Sequence, residues 1–281
     1  MKDRADQINS IQLHSIEAGE EHTEIIIFLH GFPEYSGAWQ KQVSFMAQHG
    51  YHAIAPDQRG YNLSSKPRGV KSYLINSLVT DIAALISQLT TDKVYMVGHD
   101  WGGGIAWELA AQYPQLIKKL VIMNMPHFDV LKQTLKTQPK QMLKSWYQAF
   151  FQLPMLPELL CKSFNFSFLK SAMRKTANKG AFTADEFFNY QRVWQQPYAL
   201  TGMINWYRAF KYHKITNLPI TVPTLMIWGR NDKTLNASMA RPSIQKCTNG
   251  KLVMLNDATH WLHHEKTDEV NKLILEFVQQ P

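Results

Sequence analysis

A chain of 281 residues, 45% hydrophobic and 19% charged, has the length and composition of one large globular domain or of a domain carrying an insertion. It contains no run of about 18 apolar residues that would span a membrane, no apolar signal core near Met1 and only two cysteines, Cys161 and Cys247, so a reducing, cytoplasmic setting is expected. The net charge of +8 comes without any groove-reading motif, so nucleic acid is not an expected partner.

In chain order, apolar runs at 24–29, 52–56, 93–97 and 119–124 read as strands. Helical spacing separates them at 72–89 and 104–113. Alternation of this kind predicts a mainly parallel sheet with helices on both faces. The rhythm stops after Pro126. Residues 128–215 are rich in aromatic residues, Leu, Met and Lys, with helical spacing and no convincing strand. They carry 13 Lys and Arg against 4 Asp and Glu, so this stretch holds the whole charge excess. Lys132, Lys136, Lys140 and Lys144 recur every fourth residue, as on a solvated helix face, with Pro139 interrupting or starting a turn. An anionic substrate or a lipid surface would also fit that charge. Strands resume at 223–228 and 251–255, and an amphipathic helix closes the chain at 265–279. The expected architecture is therefore an α/β core, 1–127 plus 216–281, with a helical cap, 128–215, inserted at the strand ends where a ligand crevice forms.

The most informative residues are Gly98-His99-Asp100-Trp101-Gly102-Gly103, between an expected strand and an expected helix. Small residues on both sides let the chain turn sharply and hold one reactive side chain above the sheet edge. That side chain is Asp100, and a carboxylate nucleophile suits attack on an sp3 carbon, giving an ester that water can cleave. His30-Gly31-Phe32-Pro33 follows the first of these strands and can aim the Phe32 N–H at the same point. With the Trp101 N–H it would form an oxyanion hole. Phe32, Trp39 and Trp101 are expected to line an apolar substrate pocket. Asp232, in Gly229-Arg230-Asn231-Asp232, is the expected acid, in competition with Asp129 and Asp257. His260 follows the last strand and is the expected base, and the order nucleophile, acid, histidine is that of α/β-hydrolases. Asp57 and Arg59 are expected to brace a loop by pairing with each other. His30 and His99 read as structural, and the other histidines as surface residues. No metal-ligand spacing is present.

The motifs His30-Gly31-Phe32-Pro33-Glu34, Asp57-Gln58-Arg59-Gly60-Tyr61, Gly98 to Gly103, Gly229 to Asp232 and His260-Trp261 resemble those of the α/β-hydrolase-fold epoxide hydrolases, over nearly the whole chain. Most are shared with haloalkane and haloacid dehalogenases. Two cap segments separate the families. Trp146 to Pro154 and Asn205 to Arg208 resemble the segments that carry the oxygen-holding tyrosines of epoxide hydrolases, which map to Tyr147 and Tyr207. Phe32 stands where haloalkane dehalogenases have Asn, and Trp101 where fluoroacetate dehalogenases have Arg. One departure from the epoxide hydrolases is Phe128, after His127, where proline is frequent. The chemistry agrees with the resemblance. An alkoxide leaves poorly without a donor on its oxygen, and a phenol donates without ionising near neutrality. The resemblance implies opening of a small hydrophobic epoxide by water, with no cofactor or metal. The alternatives are a dehalogenase using the same Asp-His-Asp set and a slow hydrolase-fold protein that binds a hydrophobic ligand. Monomer and homodimer both remain open.

Overall fold

The central strands are apolar at consecutive positions, the pattern of strands buried on both faces. The computed structural model describes residues 1–214, 216 and 218–280. Among these, eight strands form one sheet: β1 (Lys2–Ile8), β2 (Ile11–Ala18), β3 (Ile25–Leu29), β4 (His52–Pro56), β5 (Val94–His99), β6 (Ile117–Met123), β7 (Thr224–Gly229) and β8 (Gly250–Leu255). Their spatial order is β1-β2-β4-β3-β5-β6-β7-β8. β2 pairs antiparallel with both β1 and β4, and every other pair is parallel. Successive side chains serve two cores. Along β3, Ile25, Ile27 and Leu29 enter one and Ile26 and Phe28 the other; along β6, Leu120 and Ile122 oppose Val121 and Met123.

The α-helices are α1 (Gln40–Gln48), α2 (Ile75–Leu89), α3 (Trp101–Gln112), α4 (Phe128–Thr137), α5 (Pro139–Lys144), α6 (Trp146–Phe150), α7 (Leu156–Thr176), α8 (Ala184–Trp194), α9 (Ala199–Phe210), α10 (Ala240–Ile244), α11 (Leu262–Glu265) and α12 (Thr267–Gln279). Helices α2 and α3 pack into one core, with residues of α4 and α7 to α9. Helices α1 and α12 pack into the other. The helices α4 to α9 lie between β6 and β7, in the lysine-rich stretch, whose expected end at 215 lies outside the described residues.

Three sequence expectations need correction here, and two elements were not expected. The β1–β2 hairpin and α1 were not foreseen. β1 carries Lys2, Arg4 and Asp6 on a mostly exposed edge, so it has little apolar signal. Helix α3 begins at Trp101 rather than Gly104, because its glycines are placed by close packing and not by helix propensity. Asp57 and Arg59 do brace loops, but with other partners. Asp57 accepts from His14 Nδ1 (2.6 Å), the Ser36 N–H and Asn62 Nδ2, while Arg59 forms a buried two-pronged pair with Asp81, both bonds 2.7 Å. The lysine series is split by Pro139, which starts α5. Lys136 and Lys140 are exposed, whereas Lys132 and Lys144 turn inward and donate to the carbonyls of His213 and Asp232.

Candidate active site

Asp100 sits between β5 and α3 with φ 48° and ψ −125°, a backbone state costing about 1–3 kcal/mol that only over-determined surroundings hold. Those surroundings are glycines in close contact. A Cβ on Gly102 would lie 2.2 Å from the Leu29 carbonyl oxygen, and one on Gly31 would lie 2.3 Å from the Asp100 Cβ. The loop after β3 thus reaches the elbow only because residue 31 has no side chain. Of the two expected oxyanion donors, the Phe32 N–H already holds Asp100 Oδ1, at 2.9 Å. The Trp101 N–H, on the first turn of α3, makes no such bond.

His260 lies behind the carboxylate. Its Nε2 is 3.5 Å from Asp100 Oδ2 and its Nδ1 is 2.9 Å from Asp232 Oδ2. Asp232, not Asp129 or Asp257, is therefore the acid against the histidine. Asp129 instead pairs with Lys246 at 2.6 Å, and Asp257 is exposed. Asp232 is fully engaged. Its Oδ1 accepts from the N–H groups of Thr234 and Leu235, and its Oδ2 also accepts from Asn124 Nδ2 at 2.6 Å. Asn124, just past β6 and at a φ of 43°, accepts at Oδ1 from the Gly229 N–H. The sequence reading missed this brace; the signal was a polar residue at the end of an apolar strand beside the one bearing Asp232. Burial disfavours a charged His260, but the Asp232 and Asp100 carboxylates more than offset it and raise its pKa to about 10. Burial likewise opposes ionisation of Asp100, yet the hydrogen bond and charge of His260 hold its pKa below the usual carboxylate value. The resting pair is imidazolium and carboxylate.

A cavity of about 670 Å3 opens over Asp100 and His260. Phe32, Phe151, Phe168, Met173, Trp261, Tyr147 and Tyr207 line it, with Leu143, Lys144 and Trp146 among the residues farther out along α5 and α6. Tyr147 comes from α6 and Tyr207 from α9, with ring centroids 5.8 Å apart. Burial first, and the Asp100 charge after it, raise the pKa of Tyr147; burial, Tyr147 and Asp100 do the same for Tyr207. Both phenols stay protonated facing a carboxylate. Trp101 borders a small adjoining space beside Tyr147 and Tyr207, and its ring meets that of Tyr207 edge-on at 5.1 Å. Trp39 does not line the cavity. It is fully buried on the opposite core, against Phe28 and His263, because the turn at 36–39 carries it beneath the loop.

A second buried polar cluster lies behind Asp100, His260 and Asp232. Glu34, with no exposed surface, accepts at Oε1 from Tyr190 Oη (2.8 Å) and His264 Nε2 (2.7 Å). Its Oε2 lies 3.2 Å from His99 Nδ1 and 3.3 Å from His263 Nε2. His99 Nε2 in turn meets the His260 carbonyl at 2.8 Å. Burial resists charge on Glu34, but the surrounding imidazoles hold its pKa well below the usual range. Glu34, His263 and His264 are also the one group among the described residues close enough to hold a cation. In the sequence, Glu34 stands out only by its place in a motif.

A nucleophile elbow on a parallel sheet, with an acid and a histidine on later loops, defines a hydrolase of the α/β class. The chain belongs to the α/β-hydrolase fold family, whose model matches residues 24–267. Within that family it belongs with the epoxide hydrolases. It is 36% identical to human "Epoxide hydrolase 4", across 97% of this chain and 77% of that one. It is 43% identical to "AB hydrolase superfamily protein YfhM" of Bacillus subtilis (strain 168), across 96% of both chains. The Bacillus megaterium epoxide hydrolase solved with an inhibitor superposes with a TM-score of 0.90 at 32% identity, covering 99% of this chain and 100% of that one. A variant of that enzyme, solved with its naphthyloxy-propanediol product, gives 0.89 at 31% identity over the same shares.

Proposed function

We propose that this chain hydrolyses an apolar epoxide to a vicinal diol through an ester on Asp100. The observation that carries the reading is that two protonated phenols, Tyr147 and Tyr207, line the same apolar cavity as an ionised carboxylate. That is an acid and a nucleophile for the two ends of one C–O bond. Asp100 Oδ2, the oxygen not held by Phe32, attacks a ring carbon. The ring C–O bond breaks, and the oxygen takes a proton from Tyr147 or Tyr207. Asp100 is now an ester without charge, so His260 sheds its extra proton, which restores the phenol. Neutral His260 then takes a proton from water, whose oxygen bonds to the Asp100 Cγ. Oδ1 becomes the oxyanion, bound by the Phe32 and Trp101 N–H groups. The Cγ–Oδ2 bond breaks, the diol leaves with Oδ2 and the proton from His260, and Asp100 keeps the oxygen from water and passes that water's second proton to His260, which restores carboxylate and imidazolium.

In this reading residues 128–215 form a cap that brings both tyrosines over the core of 1–127 and 216–281. The substrate is a small hydrophobic epoxide, in keeping with the aryl diol held by the Bacillus megaterium relative. Two free cysteines, Cys161 and Cys247, suit a reducing compartment such as the cytoplasm.

One turnover in heavy-oxygen water tests the covalent step. The label should enter the Asp100 carboxylate; label found only in the diol overturns it. Tyr147→Phe and Tyr207→Phe should each slow alkylation by roughly 10- to 1000-fold, the scale of a general acid or an oxyanion donor. The double variant should nearly abolish it. Faster turnover of an alkyl halide than of an epoxide of similar size moves the assignment to a dehalogenase.

A further inference from the structure

Nine of the fifteen exposed large hydrophobic side chains among the described residues fall within residues 142–164 of the helical insertion. Leu143, Met155 and Phe164 are the most exposed, at 75%, 73% and 87%. Phe164 stands at a kink in α7, where its φ of 46° holds the ring out of the core. A soluble surface seldom gathers apolar side chains this way without a partner. The charge around the patch has one sign. Residues 139–176 contain six Lys and Arg and a single acid, Glu158. Arg208 neutralises that acid with two bonds, at 2.6 and 3.0 Å. The patch also reaches the cavity, since Leu143 and Trp146 belong to both.

A second copy of this chain would cover the apolar residues but would set two basic faces against each other. A surface that is anionic outside and apolar beneath satisfies both features. We infer that residues 142–164 dock on an anionic lipid bilayer. Leu, Phe and Trp side chains enter the boundary between headgroups and acyl chains, and the lysines sit among the headgroups. The segment lies in the interface, as no helix among the described residues is long and apolar enough to cross. The cavity then opens toward the phase in which an apolar substrate dissolves.

Flotation of the full chain with vesicles tests this without reference to turnover, so its outcome is separate from that of the proposed reaction. The protein should float with phosphatidylglycerol–phosphatidylcholine vesicles, less so as salt rises, and far less with phosphatidylcholine alone. The emission of Trp146, the one tryptophan more than a tenth exposed among the described residues, should shift to the blue on binding. The variant Leu159→Asp, Phe164→Asp alters exposed positions outside the cavity and should fold normally. It should lower the bound fraction by roughly tenfold or more, since it replaces buried apolar area with charge. Lys140→Glu, Lys162→Glu should weaken binding to the anionic vesicles alone. Absence of flotation by the unmodified chain overturns the inference, as do equal binding to neutral vesicles or wild-type binding by the Asp variant. A dimer in solution that the Asp variant dissolves assigns the face to a second copy and likewise overturns it.

Discussion

Asp232→Asn puts the geometry behind His260 to the test. Asp232 accepts four bonds: 2.7 and 2.8 Å from the N–H groups of Thr234 and Leu235 at Oδ1, and 2.6 and 2.9 Å from Asn124 Nδ2 and His260 Nδ1 at Oδ2. Asparagine can accept on one side only. If its oxygen stays with the two backbone donors, its NH2 faces the NH2 of Asn124 and the Nδ1–H of His260. Each buried donor left unmatched costs about 1–3 kcal/mol, so the variant should lose roughly 2–6 kcal/mol of stability. His260 relieves one clash by changing tautomer, with Nδ1 accepting and Nε2 carrying the hydrogen. Nε2 can then no longer take a proton from water. Ester hydrolysis should fall by about 10⁴-fold, the scale of a carboxylate-to-amide change behind a catalytic histidine. Alkylation needs ionised Asp100 and the two phenols but no basic His260, and should fall much less. Quenched-flow kinetics on an epoxide should therefore show one equivalent of product ester formed rapidly, then a slow phase. Asp129→Asn, which removes only a half-exposed pair with Lys246, should turn over normally. Equal slowing of both steps, or near-normal steady-state turnover in Asp232→Asn, refutes the assignment of His260 as a base held in one tautomer.

Stability should also depend on pH with a definite sign. The folded pKa of His260, about 10, lies above the free value of 6.5, so its contribution is complete below about pH 6.5 and is lost as pH rises toward 10. Urea unfolding should show the wild type losing more stability than His260→Gln over that range; parallel curves count against the imidazolium pair. Tyr190→Phe removes a buried bond to ionised Glu34 and should cost about 1.5–3 kcal/mol, read as a Tm lower by several degrees. Turnover should change little, because Trp194 Nε1 still donates to the Pro33 carbonyl at 2.7 Å and holds the loop that carries Phe32. An unchanged Tm would place no stabilising bond there.

What was legible in the sequence shares a cause. The inner strands are apolar throughout because both faces are covered, and the elbow is written in glycine because its backbones approach too closely for any Cβ. Asp100, Asp232 and His260 end strands or follow them, so chain order alone set them side by side. Elements that depend on a neighbour left no such mark. β1 stabilises by edge pairing and buries only Asp6 and Ile8. The histidines expected at the surface include five that are buried, His14, His52, His127, His213 and His263. Four of these lie against carboxylates distant in sequence, and His127 caps α4 by accepting from the Asp129 N–H. No local pattern announces a partner that far away. Trp39 failed for the same reason. An aromatic residue near a catalytic loop reads as pocket, and only the turn after Tyr35 sends it to the opposite core.

Glu34 and Asp100 show how environment divides roles between two buried carboxylates. Both lie beside imidazoles and both are held ionised. Glu34 is enclosed by Tyr190, His264, His99 and His263 and does not line the cavity. Asp100 has one oxygen held by Phe32 and one facing the cavity and His260. In the proposed reaction its charge disappears when the ester forms. Of the two carboxylates that raise the pKa of His260, only Asp232 then remains, and burial works against it. In that proposed reaction, the imidazolium that steadied the nucleophile becomes the base that releases it. The chemistry of the first step therefore prepares the second, and Glu34, on the far side of His99, lies outside the cavity in which both would occur.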